Sequence, residues 1–166
     1  IQKLADNIVS EIVQYIGAVQ AGFFVVRDEE NSGEKQKKIE HVAAFAYNRK
    51  KFTDRVIEWG EGLVGACIIE KQTIHISKVT ETYLEITSGL GRANPRAILI
   101  VPFKTQEDVV HGAIELASFE DFEPHVIDFA EQVAESIATT ITTLKINMRT
   151  SALLEESRQQ AKELSQ

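Results

Sequence analysis

The chain has 166 residues, 43% of them hydrophobic, with 18 Lys and Arg against 25 Asp and Glu. That length suits one domain with a proper core plus an extension. A net charge of −7 sets the surface against phosphate backbones, so no nucleic acid is expected as a partner. The single cysteine, Cys67, excludes an intramolecular disulfide and a cysteine-based metal cluster and fits a reducing, cytoplasmic setting.

In chain order, Ile1, Leu4, Ala5, Ile8, Val9, Ile12, Val13 and Ile16 recur at helical spacing on one face. They predict a leading helix over residues 1–16, stopped by Gly17. AVQAGFFVV and IEHVAAFAYN, rich in β-branched and aromatic residues, predict a hairpin of two strands around a polar loop, RDEENSGEKQKK. RKKFTDRVIEWGEG fits either state. GLVGACIIEKQ predicts a short helix, TIHIS a short strand and ETYLEIT a helical turn. AILIVPFK and VVHGAIELASF are the strongest strands, joined by a turn at TQED, with Pro102 suited to a bulge or an edge. From Pro124, a residue tolerated in a first helical turn, no glycine or proline interrupts the chain. A helix over 124–166 would run roughly 65 Å at about 1.5 Å per residue, too long to pack on one small domain.

Within it Ile137, Ile141, Leu144 and Met148 step by 4, 3 and 4, the spacing of a coiled-coil seam. With Ile8 and Ile12 of the leading helix, they predict a homodimer built on the terminal helices. Leu154, Ala161 and Leu164 resume the apolar repeat in a shifted register. The whole reads as an α+β domain of three layers with both terminal helices on one face: a helix at 1–16, a core at 17–123, and a C-terminal helix at 124–166 continuing into a coiled-coil linker. No apolar run approaches a membrane span, and the first residues carry no signal-peptide pattern. Both ends read as cut from a longer parent.

Four segments in this order, GEGLVG at 60–65, Val101–Pro102, HGAIELAS at 111–118 and FEPHVIDFAEQVAESIATTI at 122–141, resemble the GAF domain. That family supplies the small-molecule sensor modules of phosphodiesterases, phytochromes and bacterial sensor kinases. The resemblance covers roughly residues 5–145. It implies a profilin-like, three-layer fold around an antiparallel sheet of order 2-1-5-4-3. The first and last helices would cover one face, and middle helices and loops would roof a ligand pocket on the other. It also implies a downstream output domain, often a histidine kinase, reached through the long helix.

Strand alternation sorts Val109, His111, Ala113, Glu115, Ala117 and Phe119 from Val110, Gly112, Ile114, Leu116 and Ser118. Ile114 and Leu116 suit the apolar helices, which sends Glu115 to the roofed face between two small residues. A carboxylate there needs a partner, either a ligand donor or an arginine. The stretch SGLGRANPR, with Arg92, Arg96, Asn94 and the glycine amides, offers cations and donors at the rim, joined by Ser88 and Tyr83. It lacks the spacing of a phosphate-binding P-loop, and for any one residue a turn with solvated arginines fits better. One arginine could satisfy Glu115 directly.

Cys67 reads as a buried small hydrophobe. His41, His75, His111 and His125 are scattered without metal-ligand spacing, and Glu61, Asp54 and Asp121 read as loop acids. The resemblance weighs against three family chemistries. The Asn-Lys-Phe-Asp-Glu motif of cyclic-nucleotide binders is not traceable, Cys67 has no adjacent histidine for a covalent bilin, and one cysteine is too few for methionine sulfoxide reduction. The expected function is therefore a non-enzymatic sensory module binding an unidentified small polar molecule. A ligand-free dimerisation module and a redox enzyme are the alternatives.

Overall fold

The computed structural model describes the backbone of residues 1–31, 33–46, 49–51, 56–78, 86–88, 91–93 and 95–165, with side chains for 1–29, 33–46, 56–78 and 95–165. Helix α1 (Gln2–Ile16) ends where the Gly17 amide bonds Val13 and its φ of 80° takes the left-handed cap that glycine reaches without strain. Strands β1 (Gln20–Asn31) and β2 (Glu34–Ala46) follow, then the short β3 (Arg49–Lys51) and β4 (Val56–Glu58), helix α2 (Gly62–Glu70) and β5 (Ile74–Ile76). Strands β6 (Ile86–Ser88) and β7 (Gly91–Ala93) precede the long β8 (Ala97–Lys104) and β9 (Val110–Ser118), and α3 (Pro124–Leu164) closes the chain.

The main sheet is antiparallel throughout. Its path runs β3-β2-β1-β9-β8-β5, with β4 also paired to β2. The five-strand order expected from the resemblance is therefore extended: β3 and β4 both pair with β2, making seven strands, while β6 and β7 form a separate ribbon.

Three local expectations are corrected. RDEENSGEKQKK is a continuation of the two hairpin arms, not a loop, with Asp28 opposite Lys37 and Asn31 opposite Glu34. Cross-strand charges offset the missing core there: Arg27 meets Glu40 at 2.6 Å and Lys38 meets Glu29 at 3.2 Å. Ile86 and Thr87 of ETYLEIT lie in a strand, not a helical turn; the rest of that segment falls outside the described residues. Ser88 and Gly91–Ala93 of SGLGRA, expected as a loop or a turn, likewise lie in strands, with Ser88 opposite Gly91.

Two bulges decide where side chains point. Between β1 and β2, Phe23 faces Ala43 but Phe24 faces His41, so Val42 is the extra residue. Its carbonyl accepts a 2.8 Å bond from the Gln2 side-chain amide of α1. Between β8 and β9, Pro102 faces Ala113 but Lys104 faces Val110, so His111 and Gly112 together oppose Phe103. Only glycine fits at 112, where a Cβ would lie 2.0 Å from the carbonyl oxygen of Phe24. The bulge breaks the expected alternation and turns His111 away from the face of Ala113 into the helix layer. There its Nε2 lies 3.1 Å from Thr142 Oγ1 and its Nδ1 3.2 Å from Lys145 Nζ.

The sheet separates two cores. On one face Ile114, Leu116, Leu99, Val101 and Phe103 pack under Val9, Ile12 and Val13 of α1 and Ala134, Ile137, Ala138 and Ile141 of α3. On the other, Ile98, Ile100, Ala113 and Ala117 pack under Val64, Cys67 and Ile68 of α2. Each fully buried aliphatic side chain contributes roughly 1.5–3 kcal/mol.

The burial corrects the expected dimer seam. Ile12, Ile137 and Ile141 are inside the domain's own core, Ile8 is half-buried against it, and Leu144 is half-buried; of the six residues only Met148 is exposed. Lys145 still reaches His111, and beyond it every described side chain of α3 is exposed, so its last 19 residues stand off the domain for about 28 Å at 1.5 Å per residue.

Candidate functional site

The face opposite the terminal helices has an apolar floor with two polar groups set in it. Glu115 lies in β9 between Gly22 of β1 and Ile100 of β8, half-buried and flanked along its strand by Ala113 and Ala117. Both small neighbours are themselves buried in the core under α2. The space over Gly22 is taken by two rings: a Cβ there would stand 2.9 Å from the Phe24 ring and 3.1 Å from His41 Nε2. The two rings stack at 4.4 Å with planes 16° apart and bend over that glycine. The imidazole of His41 thus adjoins the position of Glu115. An acceptor carboxylate beside a histidine on an apolar floor suits a small molecule carrying N–H or O–H donors. Both side chains already interact within the chain.

The alternation of β9 put Glu115 opposite Ile114 and Leu116, which do pack under the helices, but nothing in the sequence singled out His41. The bulge at Val42 is the cause. Without it His41 would share the face of Ala43 and Phe45, which pack under the terminal helices.

The remaining expected site residues separate. Arg96 begins the approach to β8, exposed, with its backbone N–H bonded to Ser118 at 2.8 Å. Its guanidinium forms no ion pair among the described residues, so the expected contact from Arg96 to Glu115 is absent. The two lie four residues apart in register, about 13 Å along the strands. Ser88 and Arg92 are placed only by the backbones of β6 and β7, and Tyr83 and Asn94 fall outside the described residues.

Cys67 sits in the α2 layer above the floor. Its Sγ lies 3.8 Å from the carbonyl of Ile100, and burial, helped by the charge of Glu70, pushes its thiol up to about 12. It is a protonated packing group, as the sequence suggested. His75 and Asp121, read as unrelated, meet at 2.6 Å, and that bond first, then the Phe122 amide among others, holds the Asp121 carboxyl below its usual range. Their pairing ties β5 to the segment before α3. Among the described residues no group of His, Cys, Asp and Glu could hold a metal, and no helix is long and apolar enough to cross a membrane.

A family profile described as GAF domain matches residues 1–142, most of the chain.

This chain belongs to the GAF domain family.

Solved structures agree at the level of fold. The GAF domain of an Acinetobacter phosphoenolpyruvate-protein phosphotransferase superposes with a TM-score of 0.68 at 15% identity, covering 89% of this chain and 85% of that one. The GAF-B domain of DevS from Mycobacterium smegmatis gives 0.64 at 13% identity, covering 89% and 97%. A type II free methionine-R-sulfoxide reductase from Thermoplasma acidophilum gives 0.57 at 18% identity, covering 83% and 92%. No curated protein matches the sequence. The GAF assignment accounts for the two-faced sheet, with α1 and α3 below and α2 above. Residues 122 to 287 of a methyl-accepting chemotaxis protein give 0.61 at 14% identity, covering 87% and 90%.

Proposed function

We propose that this GAF domain is a non-enzymatic regulatory module of a multidomain, cytoplasmically facing signalling protein. It binds a small polar molecule over the Glu115 face and passes the consequence along α3 to a downstream output domain, such as a histidine kinase. The observation that carries the reading is the half-buried Glu115 carboxylate beside His41, on the apolar sheet face opposite the terminal helices. The favoured ligand presents an ammonium, amide or hydroxyl donor to that carboxylate and an apolar edge to Ile98 and Ile100. The DevS, phosphotransferase and chemotaxis neighbours support the regulatory role by fold. By the family resemblance, Tyr83, Ser88, Arg92 and Asn94 would line the pocket rim.

Two alternatives are weaker. A redox enzyme has one fold neighbour in its favour, but the single thiol, with its pKa raised to about 12, is a poor nucleophile. A covalent bilin is disfavoured by the same buried Cys67, and a cyclic nucleotide by the missing motif. A ligand-free dimerisation module would have its own side chains filling the space over Glu115.

The test is mass spectrometry of small molecules released by denaturing protein purified without added ligand. A defined molecule near one per chain is expected from the wild type, with most of it lost from Glu115→Gln at unchanged far-UV circular dichroism. Empty wild-type protein, or equal recovery from the variant, contradicts the reading.

A further inference from the structure

We infer that α3 carries a soft joint at Thr139–Thr143, gripped by His111, and that the outgoing part of the helix changes its angle to the domain there. This rests on the reading of α3 as the output path and names the place where that path yields.

Thr139, Thr140, Ile141, Thr142 and Thr143 are β-branched residues in an unbroken row. Such side chains lose χ1 freedom against the preceding helical turn and rank among the weaker helix formers. The threonines weaken the ladder in a second way. Their hydroxyls donate to the carbonyls four residues back: Thr139 to Glu135 at 3.2 Å, Thr140 to Ser136 at 2.9 Å, Thr142 to Ala138 at 2.8 Å and Thr143 to Thr139 at 3.0 Å. In an α-helix each of those carbonyls is also the acceptor for the backbone amide of the same threonine. Sharing the acceptor loosens the backbone bond and lets a helix bend. All these shared carbonyls fall within two turns of each other.

Both flanks of this run are stiffer, which confines the bending to it. Toward the domain α3 is pinned by Ala130, Ala134, Ile137, Ala138 and Ile141, all buried. Ile141, in the middle of the run, is the last buried side chain, so the joint sits where the core's hold on α3 ends. Away from the domain, residues 152–164, ALLEESRQQAKEL, hold no β-branched residue and consist almost wholly of strong helix formers. The stretch from Ile146 to Leu164 also exceeds the roughly 12–15 residues below which an isolated helix is marginal. The tail therefore moves as a rod about the joint, not as a frayed chain.

The grip comes from β9. His111 Nε2 lies 3.1 Å from Thr142 Oγ1, inside the run, and its Nδ1 lies 3.2 Å from Lys145 Nζ, just past it. One imidazole thus holds the joint at its centre and at its outer end. His111 stands four residues before Glu115 on the same strand and is turned toward α3 by the bulge it shares with Gly112. Opening this grip frees the joint without unpacking the core, since neither His111 nor Lys145 belongs to it.

The experiment is amide hydrogen exchange of the full chain, read residue by residue along α3 by NMR. In the wild type the amides of residues 139–145 are expected to be at least about tenfold less protected than those of 130–138. Thr139, Thr140 and Thr143 are exposed, so replacing them together leaves the core intact. The combined Thr139→Ala, Thr140→Ala and Thr143→Ala variant should raise protection over 139–145 by about tenfold, because alanine is the better helix former and has no hydroxyl. Lys145→Met keeps a good helix former at an exposed position but removes the bond to His111, and should lower protection over 139–145 about fivefold. Both variants should leave residues 130–137 unchanged. Equal wild-type protection across 130–145, or a threonine variant that is unchanged over 139–145 or slowed equally throughout α3, overturns the joint. Wild-type exchange in Lys145→Met overturns the grip. No ligand enters the measurement, so the Glu115 ligand test stands or falls separately.

Discussion

At the scale of single residues, two histidines are redirected by two bulges. His41 comes to the face of Glu115 because Val42 is looped out and held by Gln2. His111 leaves that face because it and Gly112 share one opposing residue. At His111 the hydrogen bonds fix the tautomer. Thr142 donates its hydroxyl to Ala138 at 2.8 Å, so Oγ1 accepts from Nε2–H, and Nδ1 accepts from Lys145. Protonation of Nδ1 would remove the second bond and set two cations side by side. Burial, then Lys145, accordingly lowers the His111 pKa below its usual 6.5.

The unfolded chain therefore takes up this proton first as pH falls. The contribution of His111 is complete above about pH 6.5 and is lost as pH drops from there through the lowered folded value. Urea-unfolding midpoints measured from about pH 8 to pH 5 should fall more steeply for the wild type than for His111→Gln. Parallel slopes would show that this contact does not respond to pH.

At the scale of elements, α3 has two jobs on different faces. Its first half roofs the core through Ala134, Ile137, Ala138 and Ile141, and its second half has no surface of its own chain to pack on. An apolar repeat alone cannot separate these jobs, since Ile137 and Ile141 fit a coiled-coil seam and a domain core equally well. The consequence is testable. Ile141→Glu buries a carboxylate at a fully enclosed site and should destabilise the domain by several kcal/mol, more than a seam residue would. Loss of cooperative unfolding at room temperature is expected by circular dichroism; a folded monomer would return Ile141 to the dimer seam.

The same limits governed the rest of the sequence reading. Long strands and helices with strong periodicity were legible: α1, β8, β9 and the start of α3 at Pro124. So was the face of Glu115, because Ile114 and Leu116 needed the helices. The hairpin arms beyond Arg27 were not, since they gain stability from cross-strand charges, not from burial. Nor was His41, whose direction depends on one extra residue in its strand. A bulge leaves no composition signal, and two of them here move the histidines.

At the scale of the whole molecule, the sheet is a partition. Below it the terminal helices form a tight core that leads into the free stretch of α3. Above it α2 and an apolar floor surround a carboxylate and an imidazole. Strands β1, β9 and β8 belong to both sides, so the proposed ligand, in pulling on Glu115, would act on the strand that also carries Ile114, Leu116 and His111 against α3. This is the shortest physical route from a binding event to the helix that leaves the domain.

The most direct test of that account is a crystal structure of protein purified without added ligand, read at the space over Glu115. The account predicts density for a small molecule with a donor within about 3.2 Å of the Glu115 carboxylate. Side chains of residues 79–94 filling that space, with no room for a ligand, would contradict it.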